Sequence, residues 1–138
     1  ESISMALTTA ETGHLVLATL HATDAIEAIN RIIAVYPGEK QNQIRVQLAE
    51  SLLAVIGQQL LPGKSGSSRV LGTEIMVTTL AIRNMIRRNS QSEIRSQMET
   101  GRESMYTIEQ CLSGLVKQGL ITPEIALSHA KFPQLLEL

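Results

Sequence analysis

The sequence predicts an α/β fold in which a partial sheet and a β-hairpin come first and a set of short helices follows. Three observations lead there. The run His14-Leu15-Val16-Leu17-Ala18-Thr19-Leu20 is largely apolar without clean alternation, which fits a strand covered on both faces. Two extended segments, Gln58 to Leu61 and Arg69 to Val77, flank the turn-forming stretch from Pro62 to Ser68, most simply as a hairpin. Beyond Val77 the chain carries one helix-start signal after another.

Taken in order, Ser2 through Thr12 reads as a helix with Ile3, Leu7 and Ala10 on one face, and Gly13 ends it. Nothing before that helix forms a cap or a leader, so the chain reads as cut rather than begun. After the apolar run comes a loop, His21-Ala22-Thr23, then a helix announced by Asp24 with Glu27 three residues on, a capping-box arrangement. Ile26, Ile29, Ile32 and Ile33 form its buried stripe, and Tyr36-Pro37-Gly38 ends it. A longer helix is expected from about Glu39 to Ile56, with Ile44, Leu48, Leu52, Val55 and Ile56 at helical spacing. Past the hairpin, Thr79 caps a helix burying Ile82, Met85 and Ile86. Ser90 with Glu93 makes a second capping box, opening a helix that Gly101 closes. Thr107 with Gln110 makes a third, burying Ile108, Leu112, Leu115 and Val116 before Gly119, and Thr122-Pro123-Glu124 opens the last helix. The expected division is residues 1–78 as the α/β part and 79–138 as the helical part.

Composition removes several function classes. At 138 residues, 43% hydrophobic and 18% charged, the chain suits one domain with a core. Twelve basic and 13 acidic residues give a net charge of -1, so nothing global favours nucleic acid or an anionic membrane. Three aromatics and no tryptophan leave little for stacking recognition. The single cysteine, Cys111, excludes an internal disulfide and a cysteine-built zinc knuckle. No apolar run is long enough to span a bilayer and no signal peptide is recognisable, so an intracellular, soluble location without membrane insertion is expected.

Two places can carry chemistry. Thr12, Gly13 and His14 open the apolar run; Thr19, His21 and Thr23 close it. In open parallel sheets, ligands gather beyond the carboxyl ends of strands, where His21 and Thr23 would lie. An imidazole there can donate a hydrogen bond to a phosphate. The plainer alternative is a pair of half-buried histidines with ordinary partners. Metal is not expected, because the two histidines sit at opposite ends of the run without a carboxylate or cysteine beside them. Gly63-Lys64-Ser65-Gly66 lacks the earlier glycine of a Walker A loop and precedes a strand, so no phosphate loop is present. These residues alone cannot build a nucleotide hydrolase. The second place is Ala81-Ile82-Arg83-Asn84-Met85-Ile86-Arg87-Arg88. Arg83 and Arg87 lie one turn apart on one face. They form either a solvated basic face or a contact surface for a partner subunit.

At these residues the chain resembles a family. The stretch Leu7-Thr8-Thr9-Ala10-Glu11-Thr12-Gly13-His14, continued through Leu20-His21, is similar to the His box of secretion-type hexameric ATPases. Ala81 through Arg87 resembles the AIRNLIRE motif of their type IV pilus retraction branch. Glu74-Ile75-Met76, Cys111-Leu112, Gly114-Leu115-Val116 and Gly119-Leu120-Ile121 match further, in order along nearly the whole chain. Relatives of the secretion and pilus-extension branches usually carry a four-cysteine zinc insert after the long helix. Here Leu61 through Ser68 stands in that place without cysteine, which favours the retraction branch. Arg88 and Ser104-Met105-Tyr106 depart from the family pattern, as do Ala22 and Asp24 after His21.

The resemblance implies that the chain is the C-terminal portion of a RecA-like ATPase domain followed by its helical C-terminal region. Walker A and Walker B would then lie upstream of Glu1, and Glu1 would close the acidic segment after Walker B. It further implies an ATP- and Mg2+-dependent motor for pilus retraction and twitching motility, built as a homo-hexamer. That motor would be cytoplasmic, peripheral to the inner membrane and docked on the pilus platform machinery, with the piece alone inactive. His21 and His14 would be the catalytic residues, and Thr12, Gly13, Thr19 and Thr23 would lie near the nucleotide. Ala81, Ile82, Arg83, Asn84 and Arg87 would serve retraction through partner contacts. The rivals are a non-catalytic oligomerisation or regulatory module and a sister-branch secretion ATPase.

Overall fold

The computed structural model describes residues 2–138, the Glu103 side chain excepted; the expectation placed on Glu1 lies outside them. Helix α1 (Ser2–Glu11), α2 (Ala25–Ala34) and α3 (Gly38–Ser51) precede strands β1 (Ala54–Pro62) and β2 (Arg69–Val77). Helices α4 (Leu80–Arg88), α5 (Gln91–Glu99), α6 (Ile108–Lys117) and α7 (Pro123–His129) follow. The architecture is α/β, as expected, with the hairpin and the four short helices in their predicted places.

The hairpin is antiparallel, with Gln58 opposite Thr73 and Gly57 opposite Glu74. Gly66 adopts a positive φ of 75° at its tip, and the Gly63 N–H closes the turn on Ser68 O at 2.9 Å. Tyr106 extends the sheet by one residue, exchanging two backbone bonds with Ile75 at 3.0 and 3.1 Å.

Three expectations are corrected. First, no strand forms from His14 to Leu20. A strand exists through hydrogen bonds to a neighbour, and among the described residues no strand pairs with this run. It lies without regular structure, with Leu15 74% and Leu17 88% exposed. Second, α3 stops at Ser51, because Leu52 turns extended (φ -68, ψ 126). The β-branched pair Val55 and Ile56 then joins β1, where such residues fit a pleated surface. Third, the Ser90 side chain makes no cap bond. Asn89 closes α4 in the left-handed conformation, and Glu93 pairs with Arg88 at 3.0 Å instead of reaching back.

The other caps form. Thr107 and Gln110 make a complete capping box, and Thr79 and Thr122 each cap with a hydroxyl. Asp24 accepts from Glu27 N at 2.7 Å, but Glu27 reaches one residue beyond the box, to Thr23. Two apolar clusters result. The larger joins Ile29, Ile33, Leu48 and Met76 to Ile82, Ile86, Ile94 and Met98, and the smaller gathers Leu61, Ile108, Leu112, Ile121 and Ala126.

Candidate functional site

The predicted nucleotide-side residues lie on an exposed loop anchored at both ends. At its start, Gly13 takes φ 90°, open to glycine at no steric cost, and its N–H bonds Ala10 O at 3.0 Å. The Thr12 hydroxyl donates to Thr9 O at 2.7 Å and lies 3.1 Å from His14 Nδ1. Thr12, Gly13 and His14 therefore form one local unit. At the far end, Thr23 places both its N–H (2.7 Å) and its hydroxyl (2.5 Å) on Glu27 Oε2, while Glu27 Oε1 receives Arg31 Nε at 2.8 Å. The Thr23 hydroxyl and N–H, with Arg31 behind them, hold the Glu27 carboxyl down at about 2. Thr19 and His21 are exposed, and neither side chain has a hydrogen-bond partner among the described residues. The structure thus brings His14 to Thr12 but not to His21. No group of three or more histidine, cysteine or acidic residues able to hold a metal occurs among the described residues.

The arginine motif has a different setting. Ile82 is fully buried in the larger cluster, while Ala81 and Asn84 face out. Arg83 Nη1 donates to Ala49 O at 2.9 Å and Glu50 O at 2.7 Å, carbonyls in the last turn of α3 that have no helical partner of their own. Arg87 Nη1 donates to Asn84 at 2.7 Å, and its Nη2 pairs with the Glu50 carboxylate. Both arginines therefore clamp α4 onto the C-terminus of α3.

A third group lies outside both motifs. Beside Thr23 and Asp24 opens a cleft of about 260 Å³ whose walls include Gln59, Glu74, Arg95 and Lys131. Glu74, 3% exposed, accepts from Ala25 N at 2.8 Å and Ile108 N at 3.3 Å. Burial pushes its carboxyl upward; the Ala25 N–H opposes that, and the Asp24 charge adds to it. Glu109 is also buried. Burial alone would raise its carboxyl, but the Phe132 N–H (2.9 Å) and Arg95 (2.8 Å) outweigh it and hold the group below the ordinary value. Arg95 also stacks 4.1 Å from the Phe132 ring centroid. Lys131 pairs with the outer oxygen of Asp24. One signal for Glu74 was available: on β2 the alternation puts a charge on the same face as Gly72 and Met76.

The chain belongs to the type II/IV secretion system protein family, which it matches over residues 1–127. It is 47% identical over 132 residues to a twitching motility protein of Neisseria gonorrhoeae, an alignment covering 95% of this chain and 35% of that one. It is also 47% identical over 135 residues to the type IV pilus retraction ATPase PilT of Pseudomonas aeruginosa, covering 97% and 39%. The solved structure of the pilus retraction motor PilT with bound ADP superposes with a TM-score of 0.88 at 41% identity, over 98% of this chain and 38% of that one. The chain thus spans little more than a third of the length of these relatives. No helix among the described residues is long and apolar enough to cross a membrane.

Proposed function

We propose that this chain is the C-terminal part of an ATP-driven motor that retracts type IV pili and so powers twitching motility. The observation that carries the reading is 47% identity to the PilT ATPase across 97% of the chain. In this reading the full protein is a homo-hexamer at the cytoplasmic face of the inner membrane, docked on the pilus platform machinery, and residues 1–78 belong to its motor domain. The loop fits a supporting part in nucleotide chemistry. It offers the exposed imidazole of His21 and the hydroxyl of Thr19 as donors to phosphate oxygens, while Thr23 is spent on Glu27. The acidic ligands for Mg2+ and the phosphate loop come from elsewhere in the protein, so the piece alone is inactive. ATP with Mg2+ supplies the phosphoryl transfer; His21 approaches the developing charge, and His14 braces the loop through Thr12.

The test is His21→Ala in the protein as its gene encodes it. Turnover of Mg-ATP falls about a hundredfold, while the unfolding midpoint moves little, because an exposed side chain without a partner is removed. Full turnover in the folded variant overturns the role of His21, and absence of turnover in the unaltered protein overturns the motor reading.

A further inference from the structure

Two elements that the proposed motor must coordinate, the His21 loop and the helical region, meet at a single carboxylate. Glu74 projects from the inner face of β2 and divides its two oxygens between two helix starts. Oε1 takes the N–H of Ala25, the first residue of α2, and Oε2 takes the N–H of Ile108, the first residue of α6. The first N–H groups of a helix have no partner within the helix, and a negative charge suits that end. Ala25 lies four residues beyond His21, directly after the Thr23-Asp24 anchor. Ile108 is in the small apolar cluster that holds α6 and α7 together.

The surroundings are shaped around this carboxylate. Gly57 stands opposite Glu74 in the hairpin, and a Cβ there would come within 3.3 Å of the Glu74 Cβ, so the glycine leaves it room. Charged groups lie close, but each is otherwise occupied. Arg95 is held by Glu99 and Glu109, and Lys131 by Asp24. His129 lines the same cleft without pairing to Glu74 among the described residues. Glu74 is therefore buried with two helix N–H groups and no ion-pair partner among the described residues.

We infer that Glu74 is a positioning residue that ties the loop carrying His21 to the start of α6, so that displacement of the helical region moves the nucleotide-side loop. The Asp24–Lys131 pair forms a second, outer tie between the same two regions. This inference rests on the motor reading for its functional consequence, while the tie itself stands on geometry. It also separates Glu74 from an ordinary stabilising contact. A carboxyl raised by burial contributes most stability below its ordinary value of 4.5 and loses it as pH rises through the raised value. Burial of the charged form thus works against folding, and what the carboxyl group supplies is the connection between the two helix starts.

The test uses Glu74→Gln and Glu74→Ala in the protein as its gene encodes it, followed by amide hydrogen exchange and ATP kinetics. Glutamine keeps the shape but has one acceptor oxygen. Exchange therefore rises about tenfold at Ala25 or Ile108 and stays native at Ile29 and Leu112, with the unfolding midpoint held. With alanine both Ala25 and Ile108 exchange faster. The kcat for ATP falls about tenfold while KM stays within about twofold, the pattern of a misplaced group acting in the transition state. Native exchange at both amides in either folded variant overturns the tie, and unchanged kcat with both amides released overturns its coupling role. If the unaltered protein hydrolyses no ATP, the motor reading fails, and the exchange data still decide the tie.

Discussion

Thr23 and Glu27 grip the loop after His21 with two bonds to one carboxylate oxygen, and Arg31 steadies the other oxygen. Because these donors lower the Glu27 carboxyl from 4.5 to about 2, the stabilisation is complete above 4.5 and is lost as pH falls toward 2. Glu27→Gln removes that titration. Acid unfolding followed by circular dichroism then shows a shallower fall across that window than the unaltered protein, and an identical fall refutes the assignment. His14 and His21 illustrate a different point at this scale. Their spacing in sequence is legible, but their environments were not, since an apolar run between them suggested burial and the loop is exposed.

Helix ends decide most of what was legible at the scale of elements. Thr79, Thr107 and Thr122 each occupy an N-cap because a hydroxyl competes well for the first unpaired N–H groups, a preference written into the residue type. Ser90 shows the limit of such reading, since the tight turn at Asn89 takes its N–H to Met85 O at 2.9 Å and turns the hydroxyl aside. The end of α3 depends on a residue far along the chain, Arg83, whose guanidinium closes two α3 carbonyls. Arg83→Ala removes the Nη1 donor from both carbonyls, so denaturant unfolding reports a loss of about 1 kcal/mol. An unchanged midpoint shows that the clamp carries no stability.

At the scale of the whole molecule, several large apolar side chains stay exposed. Leu15 and Leu17 stand out on the loop, and the outer face of the hairpin shows Ile56 (60%), Leu60 (66%) and Leu71 (53%). Leu60 and Leu71 are paired across the strands, so the apolar character is continuous there. The chain produced by itself therefore self-associates, and Leu17→Asp with Leu60→Lys shifts sedimentation toward a monomer of 15.1 kDa. A chain that is monomeric at every concentration refutes this. Long-range placement is also why the cleft was illegible: Glu74 reaches partners 49 and 34 residues away, a separation that no local pattern encodes. The motifs flanking the apolar run and the arginine helix were legible because each is contiguous in sequence.

The pairing of Asp24 with Lys131 joins residues separated by 107 positions. During synthesis the start of α2 emerges well before its counter-charge, which follows 107 positions later. Closing so long a span costs entropy that only the finished tertiary contacts return, so it belongs to the late phase of folding. The loop bearing His21 therefore acquires its full set of restraints only after Lys131 has been made. Nascent chains stalled before Lys131 carry that loop without its outer tether.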